Sequence, residues 1–224
     1  MLYLTFRTIP GVLGRTAFGA RFLMFTPPFR NQEIVGRTTD LCIEGAPRSA
    51  NVFSKTVTWL GNPGLSIAGE THQPGNFLLA VKAGIPCVIL VRDPVPALVS
   101  WMEFSSVGEP ARRLLLDYAR FYECVIDNAL RGRVVICRFE DVTASPQAIT
   151  RMANSALGTD FNHCKESMER SRELAFRHRH RLVRGTLAPA DRKDLEAGLR
   201  SSRHFGRARD AYERVSAMAA PQAG

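Results

Sequence analysis

Cys87-Val88-Ile89-Leu90-Val91 is apolar at every position, and turn residues close it on both sides. Gly84-Ile85-Pro86 precede it, and Arg92-Asp93-Pro94 follow at once. A strand without polar alternation is buried on both faces, the condition of a parallel sheet covered by helices on either side. Similar short runs stand at 41–43 and 134–137, with a weaker one at 65–69. Between them lie helical stripes. Phe53, Val57 and Leu60 repeat at i, i+4 and i+7. Pro74-Gly75 opens an amphipathic stretch that reaches Ala83. Asp93 can cap, and Pro94 can open, a helix running through Val95, Leu98, Val99 and Met102. The strongest stripe joins Ala111, Leu114, Leu115, Tyr118, Phe121, Tyr122, Val125, Ile126 and Ala129, and Gly132 ends it. A further helix is predicted from Ser145-Pro146 to Gly158. This alternation predicts an α/β fold: a three-layer, doubly wound parallel sheet that binds ligands at the C-terminal ends of its strands. Past about residue 160 the chain reads as helices joined by basic loops.

Residues 39–224 are read as one α/β domain, because 224 residues at 45% hydrophobic and 23% charged suit a single core. Residues 1–38 form a basic arm, in which Arg7, Arg15, Arg21, Arg30 and Arg37 interleave with Leu, Phe and Ile. Pro10-Gly11, Pro27 and Pro28 break any long helix there. A helix packed on the domain is the preferred reading of the arm. A peripheral membrane contact is its alternative. The net charge of +9 favours anionic ligands, nucleic acid or an acidic membrane surface. Nucleic acid is disfavoured, since the C-terminal arginines lack interleaved aromatic residues on one element. The five cysteines show no CxxC spacing, and Cys42, Cys87 and Cys137 fall in apolar strands. They read as buried reduced thiols of a cytoplasmic protein, with peripheral membrane contact through the arm as the variant of that location.

The first strand runs into Gly45-Ala46-Pro47-Arg48-Ser49-Ala50-Asn51, a turn of small residues before a helix. Strand, tight loop and helix aim backbone N–H groups at an anion, and the helix N-terminus adds partial positive charge. Arg48 adds a full one. The Lys55-Thr56 pair invites a nucleoside-triphosphate reading, but the glycines of that motif would fall at Ser49 and Ser54. His178-Arg179-His180-Arg181 has no acids or cysteines beside it, and reads as a solvated basic loop rather than a metal site.

Pro47-Arg48-Ser49-Ala50-Asn51-Val52-Phe53 resembles the 5′-phosphosulfate loop of sulfotransferases, whose usual form is Pro-Lys/Arg-Ser-Gly-Thr-Thr-Trp/Tyr. Arg48 and Ser49 fall on the basic and serine positions; Ala50, Asn51 and Val52 depart from Gly-Thr-Thr. Arg92-Asp93-Pro94, with Ser100 eight residues after the arginine, is similar to the family's 3′-phosphate element. Between the two, Thr71-His72-Gln73-Pro74 resembles a Lys-Thr-His-Leu-Pro segment whose histidine is the general base, and Glu70 stands in the lysine's place. Arg138-Phe139-Glu140-Asp141, followed by Ser145-Pro146 and Leu157-Gly158, is similar to a Tyr-Glu-Asp-Leu segment, in which Glu140 or Asp141 would fix a loop. Val183-Arg184-Gly185 resembles the late Arg-Lys-Gly, without its lysine. Together the matches span about residues 41–185.

The resemblance implies a P-loop NTPase-like sulfotransferase architecture with a helical C-terminal part. It implies transfer of a sulfuryl group from 3′-phosphoadenosine 5′-phosphosulfate (PAPS) to the hydroxyl or amine of a small-molecule, lipid or carbohydrate acceptor, without a metal. The donor would be held by Arg48, Ser49, Ala50, Asn51, Val52 and Phe53, by Arg92 and Ser100, and by Arg184 and Gly185. Arg48 and His72 would be catalytic, with Glu103 in reserve as base. Two alternatives stay open: a nucleotide-dependent kinase on a related fold, and a protein that binds PAPS or its product without turnover.

Overall fold

The computed structural model describes residues 16–18, 34–104, 110–177 and 189–219. Most of the basic arm, the 178–181 loop, and Arg184 and Gly185 lie outside these residues.

Four parallel strands form one sheet: β1 (Leu41–Gly45), β2 (Ile67–Gly69), β3 (Cys87–Val91) and β4 (Val134–Arg138), in the spatial order β2-β1-β3-β4. β1 therefore sends its chain outward to β2, while β3 lies on its other side. That reversal opens a crevice at the C-terminal ends of β1 and β3, where open α/β sheets bind ligands. Alternate side chains of the strands serve different faces, as the period of two requires. Cys42, Ile89, Val91 and Ile136 enter one core with Phe77, Leu98, Tyr118 and Val215. Leu41, Ile43, Val88, Leu90 and Val135 enter the other with Val57, Ile149 and Met152.

The helices follow from those two cores. On the first face lie α2 (Pro74–Ala83), α3 (Pro94–Phe104), α4 (Ala111–Asn128), α8 (Pro189–Ser201) and α9 (Phe205–Ala217). The second face carries α1 (Asn51–Gly61) and α6 (Ala148–Leu157), with α7 (Met168–Arg177) packed on α1. A short α5 (Phe139–Val142) leaves β4. Each large apolar side chain buried this way contributes about 1.5–3 kcal/mol, and Phe77, Tyr122, Ile89 and Leu98 are wholly buried or nearly so.

The parallel sheet with helices on both faces matches the sequence alternation, and the bounds of α2 and β3 agree with it. Three details differ. β2 pairs over three residues rather than five, because only Leu41, Cys42 and Ile43 of β1 lie opposite it. α6 begins at Ala148, three residues past Ser145, since 145–147 are turn. No helix was expected at α5.

Two glycines let the strands converge at the crevice. A Cβ at Gly69, which has φ +152, would meet the Ile43 carbonyl oxygen at 2.0 Å. One at Gly45 would stand 2.5 Å from the Leu90 carbonyl oxygen. α4 buttresses the same place. The Tyr122 hydroxyl donates to the Leu90 carbonyl (2.7 Å) and accepts from the Ala46 N–H (3.2 Å), tying β3 to the start of the loop. Burial pushes its pKa up to about 12. The Tyr118 hydroxyl donates to the Arg92 carbonyl at 2.5 Å. Among the described residues, no helix is long and apolar enough to cross a membrane, and all five cysteines are free thiols.

Candidate functional site

The loop after β1 is held in a conformation that side chains disfavour. Arg48 (φ 67) and Ala50 (φ 71) both lie in the left-handed region. Ala50 is the N-cap of α1 and has no side chain with which to cap it. The first N–H groups of a helix have no intrahelical partner. Those of α1 are therefore open to an anion. An alanine in this conformation stores about 1–2 kcal/mol, a strain that a glycine would not carry. Among the described residues, the Oδ1 of Asn51 and the Oγ of Ser54, buried in the first turn, have no hydrogen-bond partner. Orphaned buried polar atoms are rare in finished cores.

Two arginines stand over this turn. Arg48 donates from Nε to the Ser100 hydroxyl at 3.0 Å, and its guanidinium lies 5.1 Å from the centre of the Phe104 ring. Arg92 leaves the end of β3 and donates from Nη1 to the Arg48 carbonyl at 2.9 Å. Its guanidinium stacks 3.9 Å over the Phe139 ring, a cation–π contact in the effective range. Burial lowers the Arg92 pKa, Glu140 and Asp93 oppose that, and Arg192 adds to it. The Asp93 carboxylate accepts the Val95 N–H at 2.8 Å, the cap anticipated for α3.

A cavity of about 650 Å³ opens beside the turn. Arg48, Ala50, Asn51, Val52, Phe53 and Arg92 line it. Phe139 and Thr143 close it from the β4 side, and Arg172, Glu173, Ala175 and Phe176 from α7. Three guanidinium-bearing side chains and three phenylalanines suit a polyanion attached to a flat aromatic group.

His72 stands apart from those walls but is joined to them. Its ring meets Trp101 edge-on (centroids 6.3 Å, 70°), and Trp101 is tilted against Phe104 at 5.9 Å. Phe104 in turn lies under Arg48. The His72 Nδ1 is 2.9 Å from the Gly45 carbonyl oxygen. A carbonyl only accepts, so Nδ1 carries a proton, and in the neutral ring the lone pair then lies on Nε2. That is the tautomer a proton acceptor needs.

Residues the sequence reading singled out are thus distributed between the loop, the end of β3 and the turn before α2. Ser100 was expected beside Arg92, and the structure brings its hydroxyl to Arg48. Ser49 is fully buried. Glu103 accepts from Arg192 at 3.0 Å, an ion pair on the α3 surface. Lys55 lies 3.5 Å from Glu70 and is not a wall of the cavity. Burial lowers its pKa, and Glu70 opposes the shift. Glu140 and Asp141 occupy the first turn of α5, and it is Phe139 beside them that reaches Arg92. Among the described residues, no three His, Cys, Asp or Glu side chains gather as a metal site requires.

Phe139, Arg172 and Phe176 were missed because they come from elements distant in sequence. Glu44 was missed although it carries a signal, an acid inside an apolar strand. It is fully buried and accepts from the Thr71 N–H (3.1 Å), the Thr71 hydroxyl (2.6 Å), the His72 N–H (3.2 Å) and the Asn76 amide (2.8 Å). Burial pushes its pKa from 4.5 to about 7, against the pull of those hydrogen bonds. Between these two values the native state holds a proton that the unfolded chain has released. The resulting stability is full below about pH 4.5, declines as pH rises, and is gone above about pH 7. The shift corresponds to about 3 kcal/mol. Glu44→Gln is expected to flatten that part of the stability profile, measured by urea unfolding between about pH 5 and about pH 8.

No family model matches the chain, and no curated protein matches it.

Proposed function

We propose that the protein is a sulfotransferase that uses PAPS as donor and transfers its sulfuryl group to an acceptor hydroxyl or amine. One observation carries this reading: an uncapped helix N-terminus and two arginines from separate loops face one cavity. A histidine whose neutral ring carries its lone pair on Nε2 is linked to the same arginine through Phe104 and Trp101. The donor supplies the activated sulfuryl group, and the chain supplies position and charge. First-turn N–H groups of α1 and the Arg48 guanidinium would hold the 5′ side and stabilise the negative charge that builds on the leaving oxygen. Arg92, with its Nη1 on the loop carbonyl, would direct its remaining donors at the 3′-phosphate. Ser100 would orient Arg48. His72 Nε2 would take the acceptor's proton. Phe53 and Phe176 offer apolar wall to a flat base.

The kinase alternative asks for a lysine on the phosphates and for magnesium. Lys55 faces Glu70 instead, at 3.5 Å. A melting-temperature panel separates the readings. The expected order of stabilisation is 3′,5′-phosphoadenosine well above 5′-AMP, with ATP gaining nothing from magnesium. Lys55→Ala should leave the affinity for 3′,5′-phosphoadenosine within about twofold, since a side chain that does not touch the ligand contributes little to binding. Lost nucleotide binding in that variant, together with a magnesium requirement, would replace this reading with the kinase. Strong nucleotide binding without transfer to any acceptor panel would leave the non-catalytic binder.

A further inference from the structure

Glu44 occupies a position that donor binding does not explain. It is the one charged residue of β1 and is wholly buried. Four donors converge on its two oxygens, three on Oε1 and the His72 N–H on Oε2. The Asn76 amide cannot turn away, because its own Oδ1 accepts the Val35 N–H at 2.8 Å. The next residue of β1, Gly45, accepts from the His72 ring. Successive residues of one strand thus hold the backbone and the imidazole of the same histidine. The segment they hold is strained, with Glu70 at φ 62 and His72 at φ 55. Side chains with a Cβ disfavour that region, so such a turn persists only where outside bonds over-determine it.

We propose that Glu44 is the positioning residue of the His72 site. Its carboxylate clamps the 70–72 turn so that the neutral imidazole gives Nδ1–H to Gly45 and carries its lone pair on Nε2. This rests on the reading of His72 as the proton acceptor. An amide is no substitute. In Glu44→Gln the single remaining oxygen is best spent on Thr71 and Asn76, which leaves an NH₂ group facing the His72 N–H. That variant breaks the bond to His72 while keeping the volume and most of the network.

The test follows the imidazole directly, in protein labelled with ¹⁵N-histidine and free of any ligand. Long-range ¹H–¹⁵N correlation at about pH 8, where ordinary histidines are neutral, distinguishes the two tautomers, and His72→Gln assigns the signal among the five histidines. The wild type is expected to show Nδ1–H as the dominant form at His72. Glu44→Gln is expected to make it the minor form, with His163 and His204 unchanged. A Glu44→Gln protein that keeps Nδ1–H at His72 overturns the proposal. If that variant does not fold, Thr71→Val decides. It removes the 2.6 Å bond to the same carboxylate, and a partial shift of the tautomer supports the clamp while no shift overturns it. With donor and acceptor in hand, Glu44→Gln should lower kcat about 10²-fold, the scale of a small misplacement of a reacting group, with the donor KM nearly unchanged. If 3′,5′-phosphoadenosine fails to bind the wild type, the sulfuryl-transfer reading falls, and the tautomer measurement still decides the clamp.

Discussion

Replacing His72 by alanine is expected to lower the turnover of the proposed sulfuryl transfer by about 10²–10⁴-fold, the contribution of a positioned general base. The loss belongs to the transition state alone, so the affinity for 3′,5′-phosphoadenosine should stay near that of the wild type. The geometry gives the reason for expecting the effect at this residue. The Gly45 carbonyl holds the Nδ1 proton, and the ring is steadied edge-on by Trp101. The substitution also has a structural cost. It removes the Nδ1 hydrogen bond, about 1 kcal/mol, and the edge contact to Trp101, about 0.5–1.5 kcal/mol, and each kcal/mol lowers the melting temperature of a chain of this size by roughly 2–4 °C. Steady-state rates, a donor titration and a melting curve on both proteins are the measurements. Unchanged turnover would move the role away from His72. Lost turnover with a collapsed melting temperature would make the residue a structural one.

Arg92→Ala is expected to weaken the binding of 3′,5′-phosphoadenosine by about 2–4 kcal/mol, the scale for losing a charge-assisted partner of a phosphate. This corresponds to roughly a 30- to 1,000-fold rise in Kd. The binding of 5′-AMP should change much less, though not by zero. Nη1 of Arg92 also holds the Arg48 carbonyl at 2.9 Å, and losing that bond loosens the loop by about 1 kcal/mol. Arg92→Lys should recover little for the 3′-phosphate, because an ammonium neither forks nor stacks on Phe139 as the guanidinium does. Isothermal titration of wild type and both variants with the two nucleotides decides the matter. Equal losses for both would assign Arg92 to the loop rather than to the 3′-phosphate.

Local features of the chain were legible where a short-range rule sufficed. The unbroken apolar run of β3 announces a strand buried on both faces, and the stripe from Ala111 to Ala129 announces α4, because burial imposes its period on sequence. Arg48 and Arg92 are recognisable for a similar reason. Each follows a strand end, where a parallel sheet presents whatever comes next to its crevice. The side-chain partners of those groups were decided only by the tertiary structure. Nothing in the spacing of Ser100 from Arg92 says that its hydroxyl meets Arg48, since that depends on how α3 leans over the loop. Phe139 reaches Arg92 because β4 lies beside β3, and strand order is a property of the whole sheet. Lys55 meets Glu70 across the gap between α1 and the end of β2. Glu44 is the sharpest case. An acid in an apolar strand is visible in the sequence, but its four donors come from Thr71, His72 and Asn76. Only the pairing of β2 against β1 brings that turn over the carboxylate. Periodicity along a chain records what each residue is buried by on average. The direction of a hydrogen bond depends on ångström-scale placement of elements that the chain separates by dozens of residues, and no local pattern encodes it.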